Sequence, residues 1–402
     1  MKNILIFMIC AVLVFTVCSA QVFASGDEDN LIFDTNISAD SNLTLGENIE
    51  INSKSAILMN AETGAVLYAK NVNEALAPAS VTKIMTLLLV AEAADTGAVS
   101  LDDEITISAD AASMGGSQVF LEEGERFTVD ELLKCTVIAS ANDAAVALAE
   151  HIAGSEELFV EKMNKRAAEL GLKSTSFENA TGLDDSVTNH LTSAYDIALM
   201  SCELMKHDSV MKYSSVWQDT IRDGKFTLTN TNRLVRYYSG CTGLKTGSTD
   251  KAGFCISATA KRGDMTLVAV IMGAETRDIR NEAARTLLDY GFASFDIYSD
   301  PASPLEDAPV RHGRCGNITL YSEGFGLLVE KSNAARIEKR YEIPEYIDAP
   351  IKRGDAVGEI IYSLDGEEIG RCRVIVHEDV ERISLWELFL RLIESIFAER
   401  KY

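Results

Sequence analysis

Short apolar runs typical of strands and longer segments with helical periodicity follow each other along the chain. Together they predict an α+β fold. Short apolar runs at residues 56–59 and 65–68, separated by a polar turn, are typical of two strands. Further strands are predicted at residues 240–246, 253–260 and 266–272, after a long stretch with helical periodicity. Strands so far apart in sequence, with helices between them, imply one sheet assembled from distant segments. The helices are predicted at residues 80–94, 129–137, 143–153, 156–170, 193–206 and 281–290.

A region with a different pattern follows Pro301 and Pro304, which predict a linker. Residues 317–377 alternate apolar and polar positions in short runs that Gly and Pro interrupt, as expected of a small all-β domain. In residues 383–397 the apolar positions recur at helical spacing and leave a narrow polar strip. This pattern favours an amphipathic helix in a membrane interface. The alternative is a helix that docks on the protein's own surface or on a partner.

The beginning of the chain has the pattern of a cleaved export signal. Lys2 precedes an apolar run at residues 4–17, and Ala24 precedes the predicted cleavage point. A retained membrane anchor is the alternative, but the run is short for a membrane span. The acidic, polar residues that follow predict a flexible leader. The predicted organisation is a signal at 1–24, a leader at 25–50, an α+β domain at 51–298, a β-rich domain at 302–378 and an amphipathic helix at 381–402.

The charge of the chain excludes one class of partner. The 402 residues include 37 Lys and Arg against 61 Asp and Glu, so the formal charge is −24. A protein this acidic repels phosphate, and no basic stripe along the sequence compensates, so nucleic-acid binding is not expected. Hydrophobic residues make up 47% of the chain, which is enough for a folded core.

The histidines and cysteines give no sign of a metal centre. The five histidines lack HExxH or other ligand spacing, and no CxxC pair occurs. We therefore expect neither a metal nor a cofactor. Free buried thiols are favoured over disulfides, and Cys315 with Cys372 is the pair that would share the small domain. The cysteines after the signal are Cys135, Cys202, Cys241, Cys255, Cys315 and Cys372.

The strongest candidate for chemistry is a serine three residues before a lysine at a helix start, Ser80 and Lys83. Residues three apart share a helix face, so the hydroxyl and the amine can meet. The free N–H groups of a helix start favour the oxyanion that a serine nucleophile produces. Lysine becomes a base when burial or a second cation lowers its pKa. Ser209 and Lys212 repeat this spacing without further support, so the motif alone is weak.

Two other short motifs support Ser80 and Lys83 as the functional copy of this motif. Ser140 and Asn142 lie in a break between two predicted helices, where they can enter a cleft; capping of the following helix is the alternative. Lys245, Thr246 and Gly247 are predicted to end an apolar strand, where glycine permits close approach of a substrate backbone. An ordinary strand-end turn is the alternative. All three motifs in this order are much harder to dismiss than any one of them.

In this order the motifs resemble the S-x-x-K, S-x-N and K-T-G of penicillin-binding, active-site serine acyltransferases. The surrounding residues, at 77–86, 116–121, 140–143 and 245–250, are similar to those of low-molecular-weight D-alanyl-D-alanine carboxypeptidases. The resemblance covers nearly the whole chain. It implies a penicillin-binding/β-lactamase-like transpeptidase domain with an antiparallel sheet flanked by helices, then a small all-β domain and a C-terminal amphipathic helix.

The resemblance also implies a role for each motif residue. Ser80 would be the nucleophile and Lys83 its general base. The backbone N–H groups of Ser80 and Ser248 would form the oxyanion hole, and Thr246 with Arg280 would bind the terminal carboxylate. The implied catalytic residues are Ser80, Lys83, Ser140, Asn142 and Lys245. The implied substrate-binding residues are Thr246, Gly247, Ser248 and Arg280.

The implied activity is removal of the terminal D-alanine from peptidoglycan stem pentapeptides through an acyl-enzyme, with β-lactams as covalent inhibitors. The implied location is the extracytoplasmic face of the cell membrane or the cell wall. Three alternatives stay open. A class A β-lactamase would need a deacylating glutamate, and Glu178 is nearby but in a sequence context that does not match. A DD-endopeptidase or transpeptidase would use the same residues, and a non-catalytic sensor would bind wall peptides or β-lactams without turnover.

Overall fold

The computed structural model describes residues 49–184 and 187–398. The predicted signal, residues 1–24, and nearly all of the predicted leader, residues 25–50, lie outside the described residues. The strands of the first domain are β1 (Ser55–Asn60), β2 (Val66–Lys70), β3 (Glu104–Thr106), β4 (Arg126–Thr128), β5 (Gln218–Ile221), β6 (Phe226–Thr229), β7 (Cys241–Thr249), β8 (Gly253–Arg262) and β9 (Met265–Ala274).

Five of these strands form one antiparallel sheet in the order β2-β1-β9-β8-β7. Strand β1 is buried along its whole length because both faces of the sheet are covered. Ile57 and Met59 belong to the core on one face, whereas Ala56 and Leu58 belong to the core on the other. This double burial explains the continuous apolar runs, and the predicted sheet of distant segments is confirmed.

Helices cover the two faces unequally. A short 3₁₀ turn, Ala79–Thr82, leads into the first helix, and most helices contribute to the larger core, while the last one covers the opposite face. The shortest helices and strands were not predicted, because a few residues carry no measurable periodicity. The helices are α1 (Lys83–Asp95), α2 (Ala109–Ala112), α3 (Val129–Ile138), α4 (Asn142–Ala153), α5 (Glu156–Glu169), α6 (Ala194–Leu204), α7 (Asp208–Ser214), α8 (Leu234–Tyr237) and α9 (Arg277–Ser294).

Helix α9 extends beyond the prediction at both ends. It begins at Arg277 because the Thr276 hydroxyl accepts a backbone N–H of the first turn at 3.2 Å. It continues through Gly291, which the sequence indicated as its end. A side chain at Gly291 would lie 2.5 Å from Leu267 and 2.9 Å from Leu58. The glycine therefore allows α9 to pack closely on the sheet and does not end the helix.

The second domain is built almost entirely of strands, as predicted. Six strands form one sheet in the order β14-β16-β17-β12-β11-β15, and β10 pairs with β13. Its core contains Phe325 stacked on Tyr362, with ring centroids 3.9 Å apart. Pro304 lies within a strand and pairs with Tyr321, so of the two prolines predicted to mark a linker only Pro301 lies between strands. The elements are β10 (Phe295–Asp300), β11 (Ser303–Arg311), β12 (Asn317–Ser322), β13 (Phe325–Glu330), α10 (Lys331–Ala334), β14 (Ile337–Glu342), β15 (Ile347–Asp348), β16 (Ala356–Leu364) and β17 (Glu367–Val376).

The final helix, α11 (Leu385–Ala398), follows the second domain and corresponds to the predicted amphipathic segment. Its large apolar side chains are exposed, Leu385 at 87% and Trp386 at 67%. None of the helices that the structure describes is long and apolar enough to cross a membrane.

The cysteines of the described residues are free thiols. Of the pair that could have shared a disulfide in the second domain, Cys315 is exposed and Cys372 is buried. Cys135 and Cys255 are also buried.

Candidate active site

Ser80 and Lys83 meet where the 3₁₀ turn passes into α1. The Lys83 Nζ lies 3.1 Å from the Ser80 Oγ, so the amine and the hydroxyl are hydrogen-bonded as the spacing predicts. Ala79, directly before the serine, has a φ of 50°, a conformation that L-residues rarely adopt. Such strain is typical of residues that a functional site holds in place.

Lys83 is fully buried and its partners are neutral. Its Nζ lies 2.5 Å from the Asn142 Oδ1 and 2.9 Å from the Thr181 carbonyl oxygen. Burial, and then the charge of Lys245, holds the pKa of Lys83 well below the ordinary value for lysine, while the Asp143 carboxylate acts in the opposite direction. The amine can therefore lose its proton and accept one from a hydroxyl.

Ser140 lines the cleft and Asn142 lies beneath it, and neither caps a helix. The residue at the N-cap position of α4 is Ala141, which makes no side-chain capping bond, so the capping alternative is wrong. Ser140 has a φ of 60°, another strained position. The Asn142 amide donates to the Gly115 carbonyl at 2.7 Å, which orients its Oδ1 toward Lys83.

A second buried amine enters the site from the sheet. Lys245 lies within β7, and its Nζ donates to the Ser140 Oγ at 2.7 Å. Burial, and then the charge of Arg280, lowers the pKa of Lys245 to about 7. The strand continues to Thr249, so the K-T-G motif lies inside an edge strand and the strand-end turn is excluded.

Gly247 allows this strand to approach the nucleophile turn. A Cβ at Gly247 would lie 2.8 Å from the Ser80 nitrogen and 2.9 Å from the Pro78 oxygen. The chain's own backbone, and not only that of a substrate, therefore requires glycine here. Ser248, the next residue, lines the same cleft as Ser80.

A cleft of about 590 Å³ lies above these groups. Of the predicted residues, it is lined by Ser80, Ser140, Thr246, Gly247, Ser248 and Arg280. Lys83, Asn142 and Lys245 lie below it and reach it through their hydrogen bonds to the two serines and to each other. The cleft residues that the sequence did not identify are Ser117, Trp217, Thr229, Asn230, Thr231, Arg233, Tyr237 and Arg277.

Arg280 is 3% exposed and lies in the first turn of α9. Burial, and then the charges of Arg277 and Arg233, lowers its pKa to about 10. Three guanidinium groups thus converge on one side of the cleft. On that side the Thr246 hydroxyl donates to the Thr231 hydroxyl at 2.8 Å. This side is suited to a carboxylate.

The loop at residues 179–184 closes the site beside α1. Gly182 has a φ of 82°, and a Cβ there would lie 1.9 Å from the Ala79 oxygen. Glu178, the candidate for a β-lactamase glutamate, accepts the backbone N–H groups of Thr188 at 2.8 Å and Asn189 at 3.2 Å. Its carboxylate is therefore used to shape this segment.

The second S-x-x-K, at residues 209–212, lies in α7 and has none of these surroundings. The Ser209 hydroxyl is buried and has no hydrogen-bond partner among the described residues. The Lys212 Nζ lies 2.7 Å from a carboxylate oxygen of Asp130. The surroundings of the two copies in the structure therefore agree with the preference for Ser80 and Lys83 over Ser209 and Lys212.

Comparison with known proteins identifies the family of the chain. The family model described as D-alanyl-D-alanine carboxypeptidase matches residues 41–276. D-alanyl-D-alanine carboxypeptidase DacF of Bacillus subtilis is 45% identical over 337 residues, which cover 82% of this chain and 86% of that protein. The chain belongs to this carboxypeptidase family. The predicted family, and with it a serine D-alanyl-D-alanine carboxypeptidase activity, is confirmed.

The second domain and the whole fold also match known proteins. The model for the C-terminal domain of penicillin-binding protein 5 matches residues 292–382. Penicillin-binding protein 5 from Haemophilus influenzae is similar over 83% of this chain and 99% of that chain, with 31% identity and a TM-score of 0.69. Penicillin-binding protein D2 from Listeria monocytogenes, solved in the ampicillin-bound form, is 30% identical with a TM-score of 0.56. The match covers 61% of this chain and 99% of that chain. The predicted fold class is confirmed.

Proposed function

We propose that the chain removes the terminal D-alanine of peptidoglycan stem pentapeptides through an acyl-enzyme on Ser80. The observation that carries this proposal is the Lys83 amine, fully buried and 3.1 Å from the Ser80 Oγ. A lysine with a strongly lowered pKa next to a serine hydroxyl is the arrangement that activates a serine nucleophile.

In the proposed mechanism neutral Lys83 takes the proton of Ser80 as the Oγ attacks the carbonyl carbon of the penultimate D-alanine. The oxyanion that forms faces the backbone N–H groups of Ser80 and Ser248. The C–N bond then breaks, and the leaving nitrogen takes a proton through Ser140 and Lys245, so that free D-alanine departs. Water then attacks the ester carbonyl and gives a proton back through Ser140 to Lys245. The ester C–O bond breaks, and Ser80 regains its proton from Lys83.

The carboxylate of the terminal D-alanine is proposed to bind at Thr246 and Arg280. A guanidinium group and a hydroxyl give charge-assisted hydrogen bonds to a carboxylate. Gly247 places no side chain between β7 and the turn that carries Ser80. β-Lactams present the same acyl centre, so they would acylate Ser80 and remain bound wherever deacylation is slow.

Release of free D-alanine from a soluble pentapeptide that ends in D-Ala-D-Ala tests this function, with Ser80→Ala as the control. Serine-dependent release is expected. A β-lactam adduct on Ser80 without release would instead indicate a sensor or an endopeptidase that needs cross-linked wall. The absence of both signals would contradict the proposed convergence of the three motifs.

We also propose that residues 1–24 direct export and that α11 attaches the protein to a membrane surface. The exposed side chains of Leu385, Trp386 and Phe389 support the second proposal, because an apolar face of this kind suits the boundary between head groups and acyl chains. Deletion of residues 381–402 is expected to move the protein from the membrane fraction to the soluble fraction. Unchanged recovery in the membrane fraction would contradict the anchor.

A further inference from the structure

His190 is a buried imidazole to which the proposed reaction gives no role. Its side chain is 2% exposed and bonds to two different segments. The Nε2 lies 2.8 Å from the Thr82 Oγ1, and the Nδ1 accepts the backbone N–H of Glu178 at 3.0 Å. The ring also packs edge-on against Phe177, with centroids 5.7 Å apart.

These bonds assign the proton of the ring. A backbone N–H can only donate, so Nδ1 is the acceptor and the ring proton is on Nε2. Burial lowers the pKa of His190 to about 4, against the opposing charge of Glu178, so the ring is neutral at neutral pH. The Nε2–H therefore donates to the Thr82 hydroxyl.

Thr82 lies between the nucleophile and its base in the sequence, at the end of the 3₁₀ turn. The loop that His190 follows is attached to α1 at two further points. The Thr181 carbonyl accepts from Lys83 at 2.9 Å, and the Ala180 carbonyl accepts from the Thr86 hydroxyl at 2.6 Å. The His190 bond is the one attachment of these three that ends on the turn carrying Ser80.

We propose that His190 is a positioning residue for acylation. By bonding Thr82 it keeps the 179–184 loop in register with the nucleophile turn, so that the Thr181 carbonyl holds the Lys83 amine against the Ser80 hydroxyl. The proposal rests on the proposed role of Lys83 as the base. A base must lie within hydrogen-bond reach of the proton it takes, so a small shift of this loop lowers the acylation rate.

Two substitutions separate the two bonds of the imidazole. The His190→Asn side chain can still accept the Glu178 N–H but cannot reach Thr82. The His190→Gln side chain can reach Thr82 but leaves the Glu178 N–H unpaired. Each loses one hydrogen bond, so a purely structural role predicts equal effects. We expect His190→Asn to lower the maximal acylation rate by a chromogenic β-lactam about tenfold, with unchanged non-covalent affinity. We expect His190→Gln to stay within about threefold of wild type.

Thr82→Val removes the other side of the same bond. It is expected to slow acylation about as much as His190→Asn, and the double variant should be no slower than either single one. His207→Asn is the matched control. His207 is also a mostly buried histidine, bonded to Asp95 at the last position of α1, a helix that begins at Lys83. It should acylate at the wild-type rate.

The inference is overturned if His190→Asn acylates at the wild-type rate, if the Asn and Gln variants are equally impaired, or if the Thr82 and His190 effects add. If neither His190 variant folds, a wild-type rate in Thr82→Val overturns it. Failure of the proposed function is distinguishable, because wild-type protein would then show no Ser80-dependent acylation at all. All rates are measured by stopped flow with the full chain, and thermal unfolding of each variant is recorded beside them.

Discussion

The two S-x-x-K segments share their spacing and differ in every partner. Lys83 is fully buried and bonds to a serine hydroxyl, an amide oxygen and a backbone carbonyl, none of which carries a charge. Lys212 is 43% exposed and pairs with the carboxylate of Asp130. A buried amine among neutral acceptors can give up its proton, whereas an ion pair requires the charged ammonium. The spacing brings a serine and a lysine to one helix face, and the partners decide whether they react.

The largest expected effect concerns the two serines. Ser80→Ala removes the nucleophile and should lower acylation by a β-lactam and release of D-alanine by about 10⁴-fold or more. Ser209→Ala removes a hydroxyl without a partner among the described residues and should leave both rates unchanged. Mass spectrometry of the adduct and a D-alanine assay measure these rates. Equal losses in the two variants would contradict the assignment of the nucleophile.

The two lysines should differ nearly as much. Arginine remains protonated in proteins, so Lys83→Arg keeps the charge and removes the base. Acylation is expected to fall about 10²- to 10⁴-fold, the usual contribution of a general base. Lys212→Arg keeps the ion pair with Asp130 and should leave the rate unchanged. Single-turnover acylation measures both, and a Lys83→Arg rate within tenfold of wild type would exclude Lys83 as the base.

A third change leaves both S-x-x-K segments intact and alters only the surroundings of Ser80 and Lys83. Gly182→Ala would place a Cβ 1.9 Å from the Ala79 oxygen, so the loop must move away from the nucleophile turn. We expect acylation to slow about 10- to 100-fold. Gly154→Ala is the control, because Gly154 also has a positive φ, of 87°, but no atom within 4 Å of its Cβ position. It should cost about 1 kcal/mol of stability and leave acylation unchanged.

If both glycine variants slow acylation equally, backbone strain alone accounts for the loss and the contact with Ala79 does not. Comparison of acylation rates with unfolding midpoints for the two variants separates these explanations. A slow, stable Gly182→Ala protein supports the role given to the loop.

The parts of the site that were predictable are those with a local signal. Strands β1 and β9 carry unbroken apolar runs because both faces of the sheet are covered. Ser80, Ser140 and Lys245 stand in short motifs whose spacing has a chemical reason. The extent of α9 was not predictable in the same way, since Gly291 is normally a helix-ending signal. Only its contacts with the sheet show that it serves packing.

The rest of the site depends on contacts between segments far apart in the sequence. The Thr181 carbonyl, a partner of Lys83, is a backbone atom, which any residue at that position would supply. Trp217 and Arg233 line the cleft from a region of short elements, where there is no periodicity to read. His190 stands in no motif that predicts a role, yet it is buried against the nucleophile turn.

The last expected effect is on stability and not on a rate, and it compares the two lysines once more. The pKa of Lys83 is lowered in the folded state. At pH values between this lowered pKa and the ordinary value of 10.5, the unfolded chain therefore binds a proton that the folded chain does not. This difference destabilises wild type increasingly as the pH falls from 10.5 toward the folded pKa, and each unit of lowering contributes about 1.4 kcal/mol. Lys83→Met removes it. The variant should therefore gain stability relative to wild type as the pH falls from about 10 toward the folded pKa of Lys83, whatever constant offset its lost hydrogen bonds impose.

Lys212→Met supplies the contrast, since it removes an ion pair at the surface and should cost only about 0.5 kcal/mol. Urea unfolding of the three proteins at pH 6, 8 and 10 measures the differences. A Lys83→Met protein whose stability keeps a constant offset from wild type at all three pH values would mean that the amine keeps its proton when buried. In that case Lys83 could not serve as the base, and the distinction between the two S-x-x-K segments would rest on Ser80 alone.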